Sequence, residues 1–310
     1  MYKKIVLFIS VLVLAGMVVS CAGGSSSSSS AGSSESEIVQ AAEPWENVTI
    51  VTQEILMPAT TVCPEYTILD KTQYALSKFA LDKDGFYILF DGKTFNGWRG
   101  YGRDDVPARW VIEVDSVLQV GTIKFIGSGG GEAQETDGGD LIFAHKFKNF
   151  ELSIDWKCSK GANSGIFYLA QEIKGEPIYI SSPESQVLDN ENHPDAKMGK
   201  DGNRQSTSLY DMIPAKPQNA KPFDEWNNTT IIVYRGTVLH QQNGENVLEY
   251  HLWTPRWTEM LQNSKFSQAE WPLAFELLNN CGGANREGYI GFQDHGDDVW
   301  FKNIRIKILD

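Results

Sequence analysis

The stretch that most constrains the fold is a strand-loop-strand pattern close to the C-terminus. Residues 288–308 read GYIGFQDHGDDVWFKNIRIKI. β-Branched and aromatic residues alternate with polar ones on either side of a cluster of Asp and Gly, a pattern typical of two strands joined by a turn. Strands are therefore predicted at Tyr289–Gln293 and Val299–Ile308, and the turn between them holds a histidine among acidic residues at the lip of a sheet.

The second of these strands contains an irregularity. Val299 and Phe301 occupy odd positions, whereas the three isoleucines of residues 304–308 occupy even ones. Successive side chains of a strand point to opposite faces, so an unbroken strand would split this apolar set between two faces. A β-bulge near Lys302-Asn303 is expected, because one extra residue restores a single buried face.

Short strands separated by turn residues recur from Gly85 onward. The clearest is Phe150–Lys157, in which every second residue is apolar. Gly161–Gly165 is predicted to turn, so that Ile166–Leu169 returns to form a hairpin with it. Asn243-Gly244 is a second hairpin signal. About twelve such strands without alternating helices predict an all-β fold of two packed antiparallel sheets.

The N-terminal part has the organisation of a secreted protein. In residues 1–20, Lys3-Lys4 precede the apolar run Ile5–Val19, and Ser20-Cys21 follow. This pattern resembles a bacterial lipoprotein signal peptide in which Cys21 is lipidated. Residues 21–43, rich in Gly and Ser, are predicted to form a flexible tether, and residues 44–84 an N-terminal extension of the main domain, residues 85–310. Because no acidic patch follows Cys21, we expect an anchored periplasmic protein of the bacterial cell envelope.

Charge and cysteine content exclude several kinds of partner and site. The net charge is −13, so nucleic acid is not an expected partner. Cys63, Cys158 and Cys281 remain beside the lipidation candidate. Their wide spacing fits neither a zinc site nor a disulfide framework, and at most one disulfide bond can form among them.

Several motifs resemble one known family. They are DGKTFNGW at 91–98, NSGIF at 163–167, ESQVLDN at 184–190, SLYDM at 208–212 and the C-terminal run described above. Together they resemble the 3-keto-disaccharide hydrolase family, formerly a domain of unknown function, over Gly85–Leu309. The resemblance implies a concanavalin A-like jelly-roll sandwich with carbohydrate on its concave face. The chain departs from the common family pattern at Leu169 and Gln241, so its substrate preference is expected to differ.

The activity that this resemblance implies requires a base, a stabiliser of negative charge and an acid. A carbonyl at C3 of the sugar acidifies the C2 proton, and its removal gives an enolate that expels the glycosidic oxygen from C1. Water then completes a hydrolysis, whereas its absence leaves a lyase product. His295 is the candidate base, because imidazole titrates near neutral pH. Glu184 is the candidate acid, or a metal ligand that polarises the carbonyl.

Further polar residues are predicted to bind substrate: Asn163, Gln186, Asp189, Tyr210 and Asp294. Period two places Glu184 and Gln186 on the same side of their strand, facing an open polar concavity. Histidine and carboxylate also suit a divalent metal ion, so Glu184 and His295 are candidate ligands, although no tight motif such as HExxH is present. An oxidoreductase that supplies the keto sugar is the expected partner.

Three other interpretations remain open from the sequence. A lectin-like carbohydrate-binding module would use aromatic platforms, such as Trp253, Trp257 and Trp271 in the partly helical excursion 252–281. An ordinary glycosidase would pair Glu184 with Asp189 or Glu225, at a separation that only a structure gives. A scaffold without a ligand would have no use for the polar set.

Overall fold

The computed structural model describes residues 64–71, 73–117, 119–128 and 137–310. The predicted signal peptide, the tether, Cys21 and Cys63 lie outside these residues. The described part of the N-terminal extension packs on the main domain, where the Leu69 amide donates to the Glu172 carbonyl (2.8 Å) and the Tyr74 amide to the Ala144 carbonyl (2.7 Å). No helix in the described ranges is long and apolar enough to cross a membrane.

Strands dominate the described residues, with two short α-helices near the C-terminal end. The strands are β1 Tyr87–Ile88, β2 Trp98–Gly100, β3 Trp110–Val114, β4 Gly121–Phe125, β5 Leu141–Phe147, β6 Phe150–Cys158, β7 Asn163–Ala170, β8 Glu184–Leu188, β9 Asn227–Tyr234, β10 Thr237–Gln242, β11 Glu245–His251, β12 Gly288–Phe292 and β13 Val299–Ile308. The helices are α1 Pro255–Gln262 and α2 Pro272–Asn279. Short 3₁₀ turns occur at Leu76–Lys78, Ile178–Ile180 and Pro194–Lys197.

The strands form two antiparallel sheets that pack face to face. The larger sheet has the order β11-β10-β9-β6-β13-β4-β3, with β1 also paired to β13, and the smaller has the order β2-β5-β12-β7-β8. Aromatic rings fill the space between them, and Phe292 of one sheet stacks on Phe301 of the other at a centroid distance of 4.0 Å. The predicted all-β sandwich of two antiparallel sheets is confirmed.

The C-terminal strands form as predicted, and the bulge expected within the second of them is present. Pairing of β13 with β6 shifts register between Lys302 and Arg305, and Asn303 has a φ of +49°. The two strands do not pair with each other, since β12 belongs to the smaller sheet and β13 to the larger. The turn at residues 294–298 therefore crosses from one sheet to the other at the edge of the sandwich.

The predicted hairpin of residues 150–169 is wrong. β6 pairs with β9 and β13 in the larger sheet, whereas β7 pairs with β8 and β12 in the smaller one. Asn163 begins a strand rather than forming a turn, and every residue of β7 is buried. The smaller sheet has a second apolar cluster on its outer face, containing Phe167, Ile178 and Tyr289. Because apolar residues also cover this outer face, β7 lacks the alternation of apolar and polar residues from which its sheet partners could be predicted.

The excursion between β11 and β12 is helical, as expected, but begins earlier than the predicted Thr258–Lys265. Thr254 caps α1 by accepting from the Trp257 amide (3.2 Å), and Pro255 occupies its first turn. Trp257 is fully buried and stacks on Tyr250 at 5.5 Å. Cys158 and Cys281 are buried free thiols, and burial raises the pKa of each to about 12.

A buried histidine in the larger sheet makes fold stability depend on pH. His240 donates from Nδ1 to the Thr207 carbonyl (2.9 Å), and its Nε2 accepts from the Tyr168 hydroxyl (2.8 Å). Burial lowers its pKa from 6.5 to about 4. Between pH 6.5 and about pH 4, the unfolded chain therefore binds a proton at His240 that the folded chain does not bind. The free energy of unfolding falls as the pH drops through this range.

We expect the free energy of unfolding of the wild type to fall by about 3 kcal/mol more between pH 7 and pH 4 than that of the His240→Gln variant. The carboxylates titrate in both proteins, so the difference between their slopes isolates His240. Urea unfolding at several pH values measures both slopes, and the half-buried His145 provides a control through His145→Gln. Equal slopes in wild type and His240→Gln would contradict this account.

Candidate active site

A small polar pocket lies on the outer face of the smaller sheet, where β7 pairs with β8. Ile166 and Val187 belong to the core between the sheets. In the register of these strands Gly165 lies opposite Gln186 and Phe167 opposite Glu184. These residues therefore point away from the core, and Glu184 and Gln186 share one side as predicted. The pocket is lined by Asn163, Tyr179, Glu184, Gln186, Tyr210, Lys265, Gln293 and His295.

Backbone and side chains of the two strands hold the Glu184 carboxylate in place. A Cβ atom at Gly165 would lie 2.4 Å from Glu184 Oε1, so only glycine leaves room for this carboxylate to lie across β7. With its side-chain amide oriented to satisfy both of its polar atoms, the Gln186 side-chain nitrogen donates to Glu184 Oε1 (2.9 Å) and to the Ser164 carbonyl (2.8 Å). Glu184 is only 7% exposed. A buried carboxylate with an amide donor beside it can take up and release a proton inside the pocket.

His295 reaches the pocket from the turn that follows β12. Its Nε2 lies 3.2 Å from the Asn163 side-chain nitrogen. With the amide nitrogen facing the ring, the neutral imidazole carries its proton on Nδ1 and its lone pair on Nε2. Asp297 Oδ2 accepts from the Asn163 amide (3.0 Å), which ties the turn to the start of β7. The two strand ends therefore fix a basic nitrogen at the pocket.

Asp294 and Asp189, both predicted to bind substrate, do not line the pocket. Asp294 accepts from the Gly139 (2.7 Å) and Gly296 (3.0 Å) amides, and burial raises its pKa despite these bonds. Asp189 accepts from the Gly161 amide (2.8 Å), from the side-chain nitrogen of Asn192 (2.7 Å) and from two further amides of its own loop. Burial by itself would raise the pKa of Asp189, but the hydrogen bonds outweigh burial and the pKa is lowered. Both carboxylates hold the loops that carry the pocket residues.

Tyr210 lines the pocket and is fixed by a charged network behind it. Its hydroxyl donates to Asp195 Oδ2 (3.1 Å). Arg204 binds both Asp195 (2.9 Å) and Asp211 (2.7 Å). Burial, followed by the charges of Glu184 and Asp195, raises the pKa of Tyr210 far above its usual value. Tyr210 is therefore a neutral hydroxyl at neutral pH.

A second histidine stands beside the first and suggests a metal site. Ligand atoms of His193, His295 and Asp297 lie within 4.8 Å of one another, and Glu184 is not part of this group. Two histidines and a carboxylate are suitable donors for a divalent ion. However, His193 Nδ1 accepts from the Asp195 amide (3.1 Å), so its neutral ring carries the proton on Nε2. Metal-bound histidines instead donate their second ring N–H, so His193 in this orientation does not offer Nε2 to a metal ion.

His193 is held neutral by its surroundings. Burial lowers its pKa, and the charge of His295 lowers it further, against the opposing effect of Asp195 and two other carboxylates. The rings of His193 and His295 stand nearly perpendicular, with centroids 6.1 Å apart.

Sequence reasoning missed three pocket residues and His193 beside it. Tyr179 lies on the 3₁₀ turn Ile178–Ile180, Lys265 follows α1, and Gln293 directly follows the last residue of β12. The first two come from irregular segments, whose placement over the sheet no periodicity predicts. The tryptophans expected at a cleft do not line the pocket. Trp271 packs edge-on against Tyr179 at 5.9 Å, and Trp253 donates to the Cys281 carbonyl (3.0 Å).

Comparison with known proteins agrees with the motifs. Residues 85–307 match the model of the 3-keto-alpha-glucoside-1,2-lyase-like domain. A protein of Bacteroides thetaiotaomicron named 3-keto-disaccharide hydrolase is 71% identical over 239 residues, which are 74% of this chain and 80% of that protein.

Two crystal structures from Parabacteroides distasonis, provisionally named glycosyl hydrolases, share the fold. The first is 26% identical with a TM-score of 0.59, and covers 74% of this chain and 99% of its own. The second is 23% identical with a TM-score of 0.52, and covers 72% and 99%. With the family model matched over most of the chain, and with the quoted motifs lying on the strands that build the pocket, the chain belongs to the 3-keto-disaccharide hydrolase family.

Proposed function

We propose that this protein hydrolyses the glycosidic bond of 3-keto-disaccharides and related 3-keto-glucosides. The observation that carries this proposal is the pocket in which a histidine, a buried carboxylate and a lysine meet on the outer face of the smaller sheet. Family membership and the 71% identical relative supply the substrate class. The chemistry of a 3-keto sugar calls for a base at C2 and an acid at the leaving oxygen, and the pocket offers a candidate for each.

In the first step His295 acts as the base. Once the substrate displaces the Asn163 side-chain N–H from Nε2, this nitrogen takes the proton from C2. The electrons of that C–H bond form a C2–C3 double bond, and the carbonyl electrons move onto the C3 oxygen. The product is an enolate. General base catalysis by a positioned side chain contributes about 10²- to 10⁴-fold to such a step. The Asn163 side chain orients the imidazole that takes the proton.

In the second step Glu184 acts as the acid. The enolate electrons return to form the C3 carbonyl and a C1–C2 double bond, and the C1–O bond breaks. Protonated Glu184 gives its proton to the departing oxygen. Water then adds at C1 and a proton returns to C2, which completes the hydrolysis. Gln186, hydrogen-bonded to Glu184, holds the carboxyl group in the position this transfer needs.

The geometry disfavours the glycosidase with two carboxylates. Glu184 is the single carboxylate among the described residues that line the pocket. Asp189 is engaged by its own loop, and Glu225 is exposed on the surface. The lectin-like alternative lacks the tryptophan platform considered for it, because no tryptophan of the described ranges lines the pocket.

The proposed function is tested by an NMR time course of the purified main domain with a 3-keto-glucoside and with its unoxidised parent. Cleavage of the keto sugar alone is the expected result. Cleavage of the parent at a similar rate would contradict the proposal and favour a conventional glycosidase. A parallel sample with EDTA tests whether the cluster of His193, His295 and Asp297 binds a metal ion. If EDTA abolishes cleavage and one added ion restores it, that ion is the metal of this site.

We further propose that the protein is a lipoprotein, anchored through Cys21 in the bacterial envelope with its domain in the periplasm. The basic and apolar residues before Cys21 support this, together with the Gly- and Ser-rich residues after it. An oxidoreductase of the same compartment must supply the 3-keto sugar, since hydrolysis itself oxidises nothing. The Cys21→Ala variant is expected to move from the membrane fraction to the soluble fraction, and an unchanged membrane fraction would contradict the anchor.

A further inference from the structure

We propose that Lys265 is a catalytic residue, whose ammonium group stabilises the negative charge that develops on the C3 oxygen. This inference rests on the proposed function, because it concerns the enolate of that reaction. The mechanism assigns the base and the acid, but it leaves the enolate oxygen without a partner. Among the described residues that line the pocket, Lys265 and His295 are the ones able to carry positive charge, and His295 begins the reaction neutral.

The main chain of Lys265 is fixed to the loop that carries Tyr210. The Lys265 amide donates to Asp211 Oδ2 (2.8 Å), and the other oxygen of Asp211 accepts from Arg204 (2.7 Å). This tie connects the end of the helical excursion to the wall of the pocket. A lysine on an irregular segment therefore has a defined position, which is what a preorganised charge requires.

Aromatic rings hold the ammonium group itself. Nζ lies 4.4 Å from the ring centroid of Tyr210, 5.0 Å from that of Phe266 and 5.7 Å from that of Tyr179. Cation–π contacts position an ammonium group without neutralising it. Within the described part of the chain no carboxylate forms an ion pair with Lys265. Its charge therefore borders the pocket that the sugar is proposed to occupy.

The enolate is the species that needs this charge. When the C2 proton leaves, the negative charge moves onto the C3 oxygen, and it returns to carbon when the C1–O bond breaks. An ammonium group beside that oxygen stabilises the enolate and its neighbouring transition states more than the neutral ketone, so it accelerates the reaction. Loss of one such donor typically costs about 10²- to 10³-fold in turnover.

The test is kcat for a 3-keto-glucoside in the Lys265→Met and Lys265→Ala variants. Methionine keeps the length of the side chain without the charge, and we expect kcat to fall about 10²- to 10³-fold. Exchange of the C2 proton with deuterium should slow in parallel, since the enolate itself becomes less stable. Added methylammonium should raise the kcat of Lys265→Ala about tenfold or more. It should not raise the kcat of Lys265→Met, whose side chain fills the space.

The matched control is Lys174→Met, an exposed lysine outside the pocket, which removes the same charge and should leave kcat unchanged. Rates of Lys265→Met within threefold of the wild type would overturn the inference. Thermal unfolding distinguishes a folding defect, because an active-site role predicts an unchanged Tm together with methylammonium rescue. A wild type that does not cleave the keto sugar would instead refute the proposed function on which the inference rests.

Discussion

The His295→Gln variant is expected to cleave a 3-keto-glucoside about 10²- to 10⁴-fold more slowly than the wild type. Glutamine preserves a polar side chain next to Asn163 but has no basic nitrogen to take the C2 proton. Exchange of that proton with deuterium should therefore stop as well. Proton NMR of the substrate in D₂O measures both rates in one sample.

The control for this variant is His145→Gln, which alters a histidine that does not line the pocket and whose Nδ1 contacts the Tyr74 carbonyl. It should keep the wild-type rate. A His295→Gln protein that cleaves within tenfold of the wild type would show that another group removes the proton. His193, whose ring stands next to His295, would then be the first candidate.

The Glu184→Gln variant is expected to separate the two halves of the reaction. Cleavage of a 3-keto-glucoside with an alkoxide leaving group should slow about 10²- to 10⁴-fold, because no acid protonates the departing oxygen. C2 exchange with deuterium should continue, since His295 is intact. With a 4-nitrophenyl leaving group, which departs without a proton, the rate should return close to that of the wild type.

Glu225→Gln is the matched control for Glu184→Gln, since Glu225 is an exposed carboxylate outside the pocket. This control variant should cleave both substrates at the wild-type rate. If Glu184→Gln slowed both substrates equally and also abolished exchange, Glu184 would belong to the proton-abstraction step. The division of roles between Glu184 and His295 would then be wrong.

Strand positions were the most predictable part of the fold. The change of phase between Phe301 and Ile304 located a bulge that the structure contains, because alternation within one strand is a local property. Sheet membership is not local. β6 and β7 are consecutive, yet they belong to different sheets, and residues 150–169 contain nothing that distinguishes a hairpin from a crossover.

The pocket was predictable where it rests on strands. Glu184 and Gln186 lie on one side of β8, as the period of two predicts, and His295 joins them from the turn after β12. Asn163, predicted in a turn, reaches the pocket from the first position of β7. Asp189 and Asp294 are also carboxylates of the family motifs, but they hold loops instead of lining the pocket. This difference depends on which backbone amides donate to them, and the sequence does not give those contacts. Lys265 and Tyr179 reach the pocket from irregular segments, so only the tertiary fold reveals them.

The most direct test of the account is cleavage of a 3-keto-glucoside by the wild-type protein in D₂O, stopped after the first turnovers. Mass spectrometry and NMR then report the isotope at C2 of the released 3-keto-glucose. A sample of 3-keto-glucose without the enzyme corrects for spontaneous exchange. Elimination followed by hydration predicts deuterium at C2 of each product molecule for which the proton held by His295 exchanges with D₂O before it returns to carbon. Product that keeps its original proton at C2, together with equal cleavage rates for the C2-protonated and C2-deuterated substrates, would mean direct displacement at C1, and would contradict the roles given to His295, Glu184 and Lys265.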